Sequence, residues 1–206
     1  MNIIPLGEEC YTCESIDGKF NEDIRKCAYP FDYVGHTYIN KIANKIENLM
    51  NGEAFYNSNI NNIIIKQFGD KYYYVDEKYG FNYWHDTNYT SIEQFTDTDK
   101  NIFIEKYNRR YQRLKDIMKN DNIFISCCHF DDIYNNNYKK NNIINLYNIL
   151  QKYNPTSRMI CLNFDANDFI IDNLTHVNII YNKTHNFEES KNNFKKELFK
   201  YIYKIK

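Results

Sequence analysis

A cysteine three residues past a glycine turn is the first group in this sequence suited to covalent chemistry. Leu6-Gly7-Glu8-Glu9-Cys10 follows the apolar run Asn2 to Leu6, so the thiol falls just beyond a strand and a turn, where a helix would start. The positive end of a helix dipole lowers a thiol pKa and favours the thiolate, the nucleophile of acyl transfer. Glu8 and Glu9 oppose that effect, because nearby negative charge disfavours the thiolate. A buried Cys acting as a small hydrophobe is the structural alternative. Other reactive groups fall at the ends of apolar runs: His85-Asp86, Cys127-Cys128-His129, Asp165, and His185 before the last amphipathic segment.

Cys10-Tyr11-Thr12-Cys13 is also a C-x-x-C pair, which is the spacing of a redox dithiol and, with Cys127, Cys128 and His129, of a zinc site. Two adjacent thiols reach one tetrahedral ion poorly, and nothing before Cys10 resembles the aromatic entry of a redox dithiol. The reading is therefore of a protein that folds with no metal and no cofactor. A chelator is expected to leave the melting temperature unchanged, whereas stoichiometric zinc lost on mutating Cys13 or Cys128 would reverse that reading. Arg109, Arg110 and Arg113 lie one helical turn apart and could grip a phosphate or carboxylate, although a solvated helix face explains them equally. Asp165-Ala166-Asn167-Asp168 reads first as a turn.

These groups need elements to hold them. Thr37 to Met50 carries Ile39, Ile42, Ile46 and Leu49 at helical spacing and stops at Asn51-Gly52. Asn62 to Lys66, Lys71 to Val75 and Gly80 to His85 read as strands, the first two as a hairpin across Gly69-Asp70. Asp99 to Met118 is the longest helix, with Tyr107, Tyr111 and Leu114 turned inward. Then follow strand Asn122 to Cys127, helix Tyr138 to Tyr153, strands Arg158 to Phe164 and Val177 to Tyr181, and helix Phe187 to Tyr203. Near-continuous apolar strands alternating with amphipathic helices predict an α/β fold, a mostly parallel sheet in three layers with helices on both faces. Ligands of such sheets sit beyond the carboxyl ends of the strands, where most of the reactive residues fall.

The 206 residues, 43% hydrophobic and 17% aromatic, suffice for one core and are read as a single domain over residues 1–206. With 26 basic and 27 acidic residues there is no global field to attract nucleic acid or an anionic membrane, and Lys139-Lys140 and Lys195-Lys196 are too short for a nucleic-acid footprint. No apolar run approaches the ~20 residues of a membrane helix. Met1 to Leu6 lacks the features of a secretion signal, and six Cys suit reduced thiols, so the expected compartment is the cytoplasm. The asparagine-rich stretches, such as Asn135 to Asn137, are read as exposed loops of biased composition.

Taken together, Leu6-Gly7-x-x-Cys10, Tyr29-Pro30-Phe31-Asp32-Tyr33, Trp84-His85-Asp86 and Tyr107-x-x-Arg110-x-x-x-Leu114 before the strand Ile123 to Ile125 resemble a family described as papain-like cysteine peptidases. The resemblance covers roughly residues 3 to 126, and Tyr33 stands where that family usually has Trp. It implies Cys10 as nucleophile, His85 as general base, and Asp32 or Asp86 as the group orienting the imidazole. From the residues themselves, Asp32 could instead close a turn or cap the helix after Thr37, and His85 could pack against Trp84. The predicted alternation departs from a papain layout, in which the nucleophile sits on a long helix against an antiparallel barrel. A second similarity is to SGNH-type hydrolases, with the nucleophile after the first strand and the histidine before the last helix, the positions of Cys10 and His185. The expected function is thus a cysteine-nucleophile hydrolase of a peptide, small-molecule or glycan substrate. The alternatives are an esterase using Cys10 and His185, or a non-catalytic ligand-binding domain.

Overall fold

The computed structural model describes residues 2–7, 28–32, 38–56, 62–128, 136–163, 177–181 and 187–204. Cys10, Cys13, His129, Asp165 and His185 lie outside the described residues.

Strand β1, Asn2–Leu6, is buried from Ile3 onward and forms one edge of a four-stranded parallel sheet. Pro5 has no N–H to donate, which an edge strand tolerates because one side of it makes no ladder. Its partner is β5, Asn122–Cys128, in the register Asn2 opposite Asn122 and Leu6 opposite Ser126. The order continues through β6, Arg158–Asn163, to β7, Val177–Tyr181, with every neighbouring pair parallel.

Helix α1, Ile39–Met50, buries Ile39, Ile42, Ala43, Ile46 and Leu49 along one stripe. It ends as Asn51-Gly52 foretells, with Gly52 at φ 97° and its N–H donated to the Leu49 carbonyl at 3.2 Å. Helix α2, Asp97–Ile117, begins two residues earlier than the periodicity suggests, because Thr96 and Asp99 form a capping box. The Asp99 N–H donates to Thr96 Oγ1 at 3.2 Å, and the Thr96 N–H donates to Asp99 Oδ2 at 3.0 Å. Tyr107, Tyr111 and Leu114 are buried on its inner stripe, as expected. Helix α3, Asn136–Tyr153, joins β5 to β6 and packs on α1, where Lys152 meets Glu47 at 2.8 Å. Helix α4, Phe187–Lys204, follows β7.

The α/β class stands as expected, with one correction to the sheet. Strands β2, Ile63–Phe68, β3, Lys71–Asp76, and β4, Phe81–Asn82, form a separate antiparallel sheet in the order β2-β3-β4. The connections at Gly69-Asp70 and Glu77 to Gly80 are hairpin turns, far shorter than the dozen or more residues a parallel crossover needs. The rule about carboxyl ends of parallel strands therefore does not reach His85. A single core unites the two sheets: Ile4, Leu6, Phe124 and Met159 share a buried cluster with Tyr74, Phe81, Tyr83, Phe103, Tyr107 and Tyr111. No helix among the described residues is long and apolar enough to cross a membrane.

Candidate functional site

The residues singled out by sequence divide between two places. Cys10 lies three residues past Gly7, the last described residue at the carboxyl end of β1. At that end Leu6 pairs with Ser126 of β5, whose last residues are Cys127 and Cys128. Leu6 and Ser126 are both buried, at 0% exposure. Cys161, in the middle of β6 and also 0% exposed, is a core thiol.

His85 and Asp86 stand on an excursion from the antiparallel sheet. Gly80 to His85 reads as one strand in the sequence, but the ladder ends at Asn82, with one further bond from the Tyr83 N–H to the Tyr74 carbonyl at 3.0 Å. A turn closes when the Asp86 N–H donates to the Tyr83 carbonyl at 3.2 Å. The chain rejoins the sheet at Tyr89, whose carbonyl accepts the Tyr72 N–H at 2.9 Å, while Thr87 Oγ1 donates to the Tyr72 carbonyl at 2.9 Å. His85 is exposed on this excursion. Asp86 is held from beneath by α2: Lys106 pairs with Oδ1, and the Tyr107 hydroxyl donates to Oδ2 at 2.5 Å. Burial, with the Asp86 charge added to it, raises the Tyr107 phenol well above the usual tyrosine value. Arg110 lies over the Tyr107 ring at 5.2 Å, so the arginine row of α2 has a packing role at this position. Arg113 likewise donates to the Ala28 carbonyl at 3.1 Å.

Asp32 is fully buried and closes a turn. Its Oδ2 accepts the Tyr29 N–H at 2.9 Å, while its own N–H donates to the Tyr29 carbonyl at 3.4 Å. Phe31 in the same turn packs edge-on against Phe81 and Tyr111. The turn-closing alternative for Asp32 is thus realised. Both oxygens of Asp86 are engaged by α2, so an imidazole bonded to that carboxylate would have to share an oxygen.

A second cluster, not singled out by sequence reasoning, gathers titratable groups inside the core. Lys45 is 3% exposed, pairs with Glu53 at 3.0 Å, and sits within 4.9 Å of the ring centroids of Tyr56, Tyr79 and Tyr111. Asp76 is 1% exposed; its Oδ2 accepts the Tyr56 hydroxyl at 2.6 Å, and its Oδ1 accepts the N–H groups of Lys78 at 3.0 Å and Tyr79 at 3.4 Å. The Tyr56 hydroxyl also lies 2.9 Å from that of Tyr83 and 3.3 Å from that of Tyr111. Burial pushes the Lys45 amine down against the pull of Glu53, and pushes the Asp76 carboxyl up against the Tyr56 bond. Burial also works to raise Glu53, but hydrogen bonds from Lys78 and Lys45 outweigh it and hold that carboxyl below its ordinary value. The signal for this cluster was the position of Lys45 between Ile42 and Leu49 on the apolar stripe of α1. With Lys45 and Asp76 sealed from solvent, the network ties α1 and α2 to the antiparallel sheet and is structural.

No group of metal-ligating side chains occurs among the described residues. Comparison with protein families, curated proteins and solved structures finds nothing that matches this chain.

Proposed function

We propose that the chain is a cysteine-nucleophile hydrolase acting by acyl transfer, with Cys10 as nucleophile and His85 as general base. The observation that supports it most is the pairing of Leu6 with Ser126, because Cys10 then departs from the carboxyl end of a parallel strand, the side on which such sheets hold ligands. His85 is named as base on the sequence resemblance, and its exposure leaves it accessible to solvent. In the reaction the imidazole takes the thiol proton, and the thiolate attacks the acyl carbon. The leaving amine or alcohol departs with that proton, and water then releases the acyl group.

The order of alkylation tests this reading. Iodoacetamide at neutral pH, followed by peptide mapping, is expected to label Cys10 before Cys13 and Cys27; Cys161 is no comparator because burial alone makes it inert. His85→Ala is expected to slow Cys10 labelling more than His129→Ala or His185→Ala. A larger effect of His185→Ala would move the base to His185, which precedes α4 in the sequence, as in the SGNH-type alternative. If Cys10 labels no faster than Cys13 and no histidine matters, the protein is a binding domain.

A further inference from the structure

We propose that Arg110 anchors a binding site for a carboxylate-bearing ligand, in the gap between the His85-Asp86 turn and the turn of Tyr29 to Asp32. This inference stands whether or not Cys10 is a nucleophile. Residues three and four apart on a helix are surface neighbours, so Lys106, Arg110 and Arg113 form one row along α2. All three are half-buried. The row touches a different loop at each end: Lys106 pairs with Asp86, and Arg113 donates to the Ala28 carbonyl at 3.1 Å. Those two residues stand about 10 Å apart along the helix axis, with Arg110 between them.

The flanking cations are engaged, and Arg110 is not. Its guanidinium lies over the Tyr107 ring at 5.2 Å and makes no hydrogen bond or ion pair among the described residues. Contact with a ring face orients the fork and leaves its N–H groups for oxygen. The platform is itself fixed, because Tyr107 is buried and its hydroxyl donates to Asp86 at 2.5 Å. No acid answers the arginine from its own helix: its surface neighbours are Lys106, Tyr107, Arg113 and Leu114, while Glu105 and Asp116 are exposed and lie off this row. The two loops bring Asp86, met by Lys106, and Asp32, turned to the Tyr29 N–H. The three cations of the row and these two carboxylates leave one positive charge, which suits a monoanion better than the nearly double charge of a phosphate group. A planar carboxylate also meets the guanidinium fork with two parallel hydrogen bonds.

The probe is sodium benzoate at neutral pH, a carboxylate with no bond for a hydrolase to cut, titrated into the full chain and followed by the broadening of its proton resonances. Saturable binding is expected, with Arg110→Gln about tenfold weaker and Arg110→Lys, which keeps the charge but not the fork, about threefold weaker. Arg109→Gln, at an exposed position outside the row, is expected to leave the affinity unchanged. Melting curves show whether each variant is folded; if Arg110→Gln is not, the comparison rests on Arg110→Lys. Absence of saturation at about 20 mM benzoate, or equal affinity in the Arg110 variants, overturns the proposal. Benzyl alcohol binding as tightly as benzoate overturns it in favour of an apolar cleft, and inorganic phosphate displacing benzoate at a lower concentration overturns it in favour of a phosphorylated ligand.

Discussion

Raising the pH from 10 to 12 is expected to unfold the protein in one cooperative step, in which tyrosinate absorbance and loss of circular dichroism coincide. Tyr56, Tyr83 and Tyr107 have phenol pKa values well above 10, and that of Tyr111 is raised as well, in each case first because of burial. The native state therefore keeps protons that the unfolded chain, with tyrosines near 10, gives up. The stability these groups contribute is complete below pH 10 and is lost as the pH rises above it. Each costs about 1.4 kcal/mol per pH unit once the unfolded phenols ionise, and the four together cost about 5 kcal/mol per unit, against a total stability of roughly 5–15 kcal/mol. Lys45 acts in the opposite sense. Its lowered pKa lets stability rise with pH up to the ordinary lysine value of 10.5, after which it has no more to add. Tyr111→Phe is expected to make the alkaline decline shallower by about a quarter of its slope. Gradual ionisation of all tyrosines near pH 10 with the fold intact would show that the cluster is open to solvent.

Asp76→Ala is expected to destabilise the protein by about 3–5 kcal/mol in urea unfolding at neutral pH. The substitution takes the acceptor from the Tyr56 hydroxyl and from the N–H groups of Lys78 and Tyr79, and it removes a negative charge facing the buried Lys45. Asp76→Asn keeps an oxygen for the two N–H groups and is expected to cost less than half as much. It also removes a pH dependence: burial raises the Asp76 carboxyl, so in the native protein this group lowers stability as pH rises from its unfolded value, near 3.8, through its folded one. A loss below about 1 kcal/mol on Asp76→Ala would mean that the network is held by packing alone.

The order of elements was legible because period and punctuation agreed. The stripe of α1 and its Asn51-Gly52 stop, the Gly69-Asp70 turn, and the inward trio Tyr107, Tyr111 and Leu114 appear where spacing puts them. The partition into two sheets was not legible, since apolar runs show that a strand exists and do not show which strand it pairs with; the shortness of the Gly69-Asp70 and Glu77 to Gly80 connections carried the information. His85 looked like a strand end because Gly80 to His85 is an aromatic-rich run, yet the ladder needs a partner strand as well as a pattern, and it stops at Asn82. Asp32 and Asp86 looked alike as carboxylates beside aromatic residues. Their different partners, a backbone N–H within one turn and a Lys-Tyr pair from α2, depend on contacts across 20 and more residues for Asp86 that no local spacing encodes. The burial of Lys45 was not legible because a single cation on an apolar stripe can snorkel to water as readily as pair inside the core.

The bond between Asn2 and Asn122 spans 120 residues of chain. Strand β1 consequently has no partner until β5 has been made, and at ribosomal speeds of 5–20 residues per second that interval lasts about 6 to 24 s. Throughout it the nascent chain carries Ile3, Ile4 and Leu6 uncovered, while the hairpin β2-β3-β4 and α2, built from contacts near in sequence, can already condense. Synthesis thus runs inside out here: β1 emerges before the antiparallel strands and finds its sheet partner after them, and it spends the wait as a short adhesive strand open to capture by holdase chaperones.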